Sequence, residues 1–364
     1  MSEARKKILQ MLAEGKISVE QSEELLAALE KDTKASDHKR SFTEEVSRFA
    51  ENFQKQVREA VKKAEPPGHE FKARIKEFGG WVQNMMGSMV AEFGHGRGEP
   101  VDGVSVEFSV PEPDGFSRCR TCQVENLFGS VTIREGTAFA LRVMGRISHA
   151  ALAGQPPNLW FGQHGLRIEG DTLHLGFDRA TPTRAVLDLE LTLPTSLALR
   201  CRSVSASLSI KGPFRVESLK TVSGDIHLHG AELAGASLET VSGDFFVEGG
   251  SVAADGVSTS GDFRCKGARI GRLKMQSISG DIELARPEVT EATEVSCNTT
   301  SGDVFVGQVQ GPWSSVEAGS RTGTVKVTWE GTAHPGLRHG TKLESGHAGA
   351  VFTAESVSGD IEFV

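Results

Sequence analysis

The chain has 364 residues, enough for two or three domains and a large core, which excludes a disulfide-stapled miniprotein. Glycine is frequent, at 41 residues against the roughly 7% of an average chain, while tyrosine is absent and aromatics make up only 6%. That composition, with a net charge of −8, leaves little material for a base-stacking nucleic-acid platform or a general polyanion binder.

Residues 1–100 carry 17 Lys/Arg and 17 Asp/Glu, so the remainder, with 23 of the 40 bases and 31 of the 48 acids, holds the whole deficit. Two kinds of module follow from that split. No apolar run reaches the ~18–20 residues of a membrane span, and MSEARKKILQMLAEGK has no apolar signal core or small-residue cleavage site. The expected location is cytoplasmic, with membrane association only through surface contact. Five cysteines, an odd number, suit free thiols in a reducing compartment.

In chain order, Ile8, Leu9 and Leu12 form one helical stripe, Gly15 fits a helix stop, and Ser18 with Gln21 forms a capping-box pattern. Leu25, Leu26 and Leu29 give the second helix an apolar face. A hairpin over 1–31 is too small to bury a core alone, so Leu9, Leu12, Leu25, Leu26 and Leu29 are expected to dock on a protein partner. The segment LAEGKISVEQSEELLAAL resembles the SHOCT-like domain found at the N-terminus of the LiaX/YvlB family.

Residues 41–93 predict two amphipathic helices and a linker. Phe42, Val46, Phe49, Phe53, Val57 and Val61 recur at helical spacing before Pro66-Pro67-Gly68, and Phe71, Ile75, Phe78, Val82, Met85, Met86, Met89 and Phe93 follow. Lys72, Arg74 and Lys76 beside that apolar stripe allow peripheral membrane contact. Glu70, Glu77 and Glu92 dilute the positive face, and pairing of the helices or capping of the C-terminal domain is the plainer reading.

From about residue 203 the sequence repeats, and repetition governs the fold. The unit is Ser-Gly-Asp followed by alternating apolar residues: Ser223-Gly224-Asp225, Ser242-Gly243-Asp244, Ser260-Gly261-Asp262, Ser279-Gly280-Asp281, Ser301-Gly302-Asp303 and Ser358-Gly359-Asp360. SVSASLSIKG at 203–212 and SRTGTVKVTW at 320–329 are degenerate copies. Successive copies are 18, 19, 18, 19, 22, 21 and 36 residues apart, the last interval reading as two rungs with one eroded. Units this short with period-2 strands predict a mainly β fold, a single-chain parallel β-solenoid (β-helix) with rungs of 18–22 residues, preceded by the α-helical N-terminal region. Ile226 and Leu228 should face inward and His227 and His229 outward. The repeat glycines are expected at positive φ, the serines and aspartates in turn hydrogen bonds, and the aspartates in a column along one edge.

Residues 101–202 read as the opening of the same domain, which then spans 101–364. VENLFGSVTI at 124–133 is a worn repeat, and AVLDLELTLP at 185–194 sets Leu187, Leu189, Leu191 and Leu193 on one strand face, with Pro156-Pro157 in a loop. The stretch from about 120 to 364 resembles a bacterial adhesin-like β-solenoid domain of unknown function, which LiaX/YvlB-type proteins join to the SHOCT-like hairpin. The resemblance implies a role in the cell-envelope stress response.

Chemistry-bearing patterns are sparse. Cys119 and Cys122 form a lone CxxC whose thiols would face opposite sides of a strand, and Cys201, Cys265 and Cys297 read as core residues. One aspartate per rung favours turn capping over calcium or paired-carboxylate catalysis. No cofactor, metal site or enzymatic activity is expected, and no nucleic acid partner. The favoured function is a non-enzymatic scaffold or sensor acting through protein contacts. The rivals are a bactofilin-like homo-oligomer joined through an uncapped C-terminal rung, and adhesin-like surface binding.

Overall fold

A computed structural model describes residues 103–176, 185–329, 332–335, 341–344 and 347–364. The predicted helices of 1–31 and 41–93, with Leu9, Leu12, Leu25, Leu26 and Leu29, lie outside the described residues.

The described chain is built of strands. The opening part holds β1 (Gly103–Val110), β2 (Thr121–Asn126), β3 (Ser130–Glu135) and β4 (Ala140–Ser148), then two short helices, α1 (His149–Leu152) and α2 (Pro157–His164). It continues through β5 (Leu166–Glu169), β6 (Thr172–Leu175), β7 (Ala185–Leu193), β8 (Ala198–Ser203) and β9 (Ser207–Lys211). Each repeat then supplies a long strand and a short one: β10 (Arg215–Thr221) and β11 (Ile226–His229), β12 (Glu232–Thr240) and β13 (Phe245–Glu248), β14 (Ser251–Ser258) and β15 (Phe263–Lys266). The series goes on with β16 (Arg269–Gln276) and β17 (Ile282–Ala285), then β18 (Glu288–Thr299) and β19 (Val304–Gly307). The last elements are β20 (Trp313–Ser320), β21 (Val325–Trp329), β22 (Thr332–Pro335), β23 (Thr341–Glu344), β24 (Ala350–Ser356) and β25 (Ile361–Phe363).

Two sheets face each other across the core. One runs β1-β4-β7-β3-β9-β11-β13-β15-β17-β19-β25-β21-β22, the other β23-β20-β24-β18-β16-β14-β12-β10-β8-β2-β6-β5. Parallel register aligns equivalent residues, so Leu208, Ile226, Phe245, Phe263, Ile282, Val304 and Ile361 form one buried column. Alternation does the rest, because period 2 sends every second side chain inward. Leu219, Leu238 and Met275 answer that column from the opposite sheet, with Met275 filling the space left by Gly256. The worn copy at 124–133 is a true rung, with β2 paired to β8 and β3 to β9, and Leu187, Leu189, Leu191 and Leu193 are buried.

Three expectations need correction. Pro156-Pro157 is not simply a loop: Pro157 opens α2, where a missing N–H costs nothing, and the helix buries Trp160 and Phe161. The solenoid is parallel through the repeats but antiparallel at its ends, where β1, β4 and β7, the β5–β6 pair, β22 and β23 close the sheets. An open parallel edge would offer a row of unpaired backbone groups, and these strands blunt it.

The third correction concerns order in the stack. β25 lies between β19 and β21, with Ile361 opposite both Val304 and Val325, and β24 lies between β18 and β20. The rung of residues 350–363 is therefore inserted inside the stack rather than placed on its end. The 36-residue interval holds the end strands β22 and β23, not an eroded rung. The uncapped terminal edge expected for homo-oligomer formation is absent, because β25 already pairs on both sides. The degenerate copy at 320–329 is the outermost parallel rung; it carries Thr324 where the six Ser-Gly-Asp rungs carry aspartate, and has no further copy to cap.

Candidate functional site

The Ser-Gly-Asp corners form a continuous column joining the two sheets, and every element of it faces the next rung. The glycines do not take positive φ as expected. Close approach selects them instead: a Cβ on Gly302 would sit 2.6 Å from the carbonyl carbon of Gly280 and closer still to its oxygen. Gly224, Gly243, Gly261, Gly280 and Gly359 meet the preceding rung in the same way. Positive φ belongs to the second corner, at Gly230, Gly249 and Gly267, and at Arg286 and Gln308 on later rungs.

The aspartates act as a ladder. Asp225 Oδ1 accepts the backbone N–H of Asp244 at 3.0 Å, and the pattern continues from Asp244 to Asp262, Asp262 to Asp281, Asp281 to Asp303 and Asp303 to Asp360 at 2.7–2.9 Å. Asp360 Oδ1 closes the series by accepting Thr324 N–H at 2.7 Å. Like unit charges at the ~4.8 Å rung spacing repel by about 1 kcal/mol in a water-like dielectric, whereas a hydrogen bond to a charged group returns about 1.5–3 kcal/mol, so the bonds outweigh the repulsion. Ser223, Ser242, Ser260, Ser279 and Ser358 donate to carbonyls of the preceding rung at 3.1–3.4 Å. Ser301 completes the series of turns with its backbone N–H on Ile278 O.

A second column escaped the sequence reading. Three residues before each glycine stands a buried hydroxyl: Thr221, Thr240, Ser277, Thr299, Ser320 and Ser356 accept the N–H of Gly224, Gly243, Gly280, Gly302, Gly323 and Gly359 at 2.8–3.0 Å. The signal was legible as Thr or Ser two places before each repeat serine.

Asp281→Ala is expected to cost about 1 kcal/mol, since it strips the acceptor from the exposed Asp303 N–H, and Asp281→Asn less than half of that. Urea midpoints measure both; equal losses would show that the carboxylate matters by charge alone. The Thr324 N–H holds the Asp360 carboxyl below its ordinary range. A depressed carboxyl contributes stability that is complete above its unfolded value of about 3.9 and is lost as pH falls through the lower folded value. Denaturation midpoints should therefore be flat from neutral pH to about 5 and fall below about 4, with Asp360→Asn making that fall shallower.

Outside the corner, His227 stacks on Phe246 with ring centroids 4.6 Å apart, and Arg264 lies over Phe246 at 5.5 Å while reaching Asp262 at 2.7 Å. His229 Nδ1 lies 3.0 Å from Glu248 Oε2, a carboxylate that only the rung register brings to it. An open groove of about 440 Å³ along the second corner is lined by Glu248, Lys266, Arg286, Glu288 and Gln310, and carries both signs of charge. Cys119 stands outside any strand, following a short 3₁₀ turn, and Cys122 is buried in β2. Burial pushes Cys201, Cys265 and Cys297 up to about 12 and Cys122 well above its ordinary value, so these four thiols stay protonated and unreactive at neutral pH. Among the described residues no group of three or more His, Cys, Asp and Glu is arranged to hold a metal ion, and no helix is long and apolar enough to cross a membrane.

This geometry can be set beside known proteins. The repeat matches the Toastrack family. The matched span is residues 188–333, to the family described as Toastrack DUF4097. Residues 3–34 match a SHOCT-like domain, in line with the resemblance of LAEGKISVEQSEELLAAL. No curated protein matches the chain. Among solved structures, a "putative adhesin" of Bacteroides fragilis is 13% identical and covers 72% of this chain and 97% of its own, with a TM-score of 0.35. A "putative lipid binding protein" of Parabacteroides distasonis is 12% identical over 72% and 97%, with a TM-score of 0.36. A "putative cell adhesion protein" of Clostridium sporogenes is 9% identical over 71% and 99%, with a TM-score of 0.23. The inserted rung of residues 350–363 lies beyond the span matched to the Toastrack family.

Proposed function

We propose that this protein is a non-enzymatic scaffold or sensor of the LiaX/YvlB type, on the cytoplasmic side of the envelope stress response. Its Toastrack-type rungs form a rigid body, and its SHOCT-like hairpin engages a protein partner through Leu9, Leu12, Leu25, Leu26 and Leu29. The observation that carries this reading is the use made of the repeat's polar groups. Six aspartate carboxylates and six buried hydroxyls are committed to backbone N–H groups of the corners. A catalytic column would need carboxylates in distinct environments, free to exchange protons. What the solenoid offers outward is shape and mixed charge, and that suits a platform.

Proximity labelling in cells under envelope stress tests it. The wild-type chain is expected to label a discrete set of envelope or signalling proteins, and Leu25→Asp/Leu26→Asp to lose that set. Identical sets for both chains, at rest and under stress, would overturn the proposed role of the hairpin.

A further inference from the structure

The inserted rung is held in a slot whose two walls are formed by residues that precede it in the chain. β18 and β19 form one wall, and β20 and β21 the other. The rung meets both through backbone bonds and the repeat's own corner chemistry. Asp360 N–H donates to Asp303 Oδ1 at 2.7 Å, Thr324 N–H donates to Asp360 Oδ1 at 2.7 Å, Ile361 N–H to Thr324 O at 2.8 Å and Val304 N–H to Asp360 O at 2.9 Å. Inside, Ala350, Phe352, Ala354, Ile361 and Phe363 are buried. An empty slot would expose that apolar seam and two parallel edges, which favours refilling it.

Nothing in these contacts distinguishes the chain's own rung from the same rung of another molecule. Backbone pairing and the Ser-Gly-Asp corner are identical in both cases. β23 pairs with β20 on one side and β24 pairs with it on the other, and only five residues separate Glu344 from Ala350 in the chain. Exchange of an identical element across a short connection is a low-cost route to a dimer.

We propose that the β24/β25 rung is exchangeable, and that the slot between β18/β19 and β20/β21 accepts this rung from a second copy of the chain. The partner is thus another molecule of this protein, joined by insertion inside the stack and not by end-to-end pairing. Exchange is independent of the scaffold role and requires no further component.

The full-length chain supports a direct test. Val351 pairs with Glu294 across the wall, so one copy carries Glu294→Cys and a second Val351→Cys. The two are unfolded, mixed and refolded together, then oxidised. A copy with Leu159→Cys, at an exposed position outside the rung, sets the yield from chance collision. Cross-linked heterodimer is expected at several times that baseline. By light scattering, the dimer fraction should rise about tenfold between ~10 and ~100 μM protein, because capture from a second copy competes with a tether of fixed effective concentration. Adding Gly359→Val to the Glu294→Cys copy disables its own rung and should raise the heterodimer yield further. A monomer at every concentration, with cross-linking at the collision baseline, would overturn the proposal.

Discussion

Gly302→Val is expected to break the stack between the β16/β17 and β18/β19 rungs, with a loss of about 4 kcal/mol or more and a fall in melting temperature of roughly 10 °C. The reason is distance, not backbone conformation. A Cβ on Gly302 meets the carbonyl of Gly280, a backbone group that also accepts the Thr299 hydroxyl and has no rotamer into which to retreat. The rungs must separate, and separation also stretches the bond from Asp303 N–H to Asp281 and from Asp360 N–H to Asp303. Even Gly302→Ala should cost about 2–3 kcal/mol, at the upper end of ordinary overpacking. Gly249→Ala is the control. Its φ is +64 and nothing lies within 4 Å of the added Cβ, so only the left-handed penalty applies, about 1–2 kcal/mol. Urea unfolding of the three variants gives the ranking, and a cost for Gly302→Ala no larger than for Gly249→Ala would sink the close-approach account. Because rungs contact only their neighbours, the expected profile for Gly302→Val has two transitions, with residues before β18 keeping their structure.

Thr240→Val should cost about 2–4 kcal/mol although it preserves side-chain shape. Thr240 is fully buried; its Oγ1 accepts the N–H of Gly243 at 2.9 Å and donates to Gly243 O at 2.8 Å. Valine leaves both backbone groups of Gly243 without that partner, at about 1–3 kcal/mol each. Thr240→Ser keeps both bonds and loses one buried methyl, worth about 1 kcal/mol. A valine variant as stable as the serine variant would show that Gly243 finds other partners.

The division of labour between these residues bears on how the chain may be read. The aspartate column is conspicuous in the sequence, yet it sits at the solvent edge, and each of its members contributes modestly. The hydroxyl column is less conspicuous because threonine and serine alternate in it: Thr221, Thr240, Ser258, Ser277, Thr299. Both have the one feature that the site demands, a hydroxyl on Cβ. A reading that looks for a chemical group finds this column, while a reading that looks for an identical letter passes over it. His229 and Glu248 show the complementary case, a pair one rung interval of 19 residues apart that has no local motif to mark it and that stacking brings to 3.0 Å.

The sequence by itself determined the repeat, the period-2 alternation and so the inward columns from Leu208 to Val304, because burial of alternate side chains in a stacked rung is a local property. It also placed a turn at each Ser-Gly-Asp and marked 320–329 as a degenerate copy. Only the tertiary structure decided the order of stacking. Any Ser-Gly-Asp rung can sit on any other by backbone bonds alone, so local pattern leaves the position of residues 350–363 open. The stacking places residues 350–363 between the 299–308 and 320–329 rungs, where β24 and β25 each pair on both sides. The same holds for the glycines. Their presence was legible, but whether φ or closeness required them depended on a carbonyl contributed by the preceding rung, about 20 residues away in the repeats and farther at Gly359.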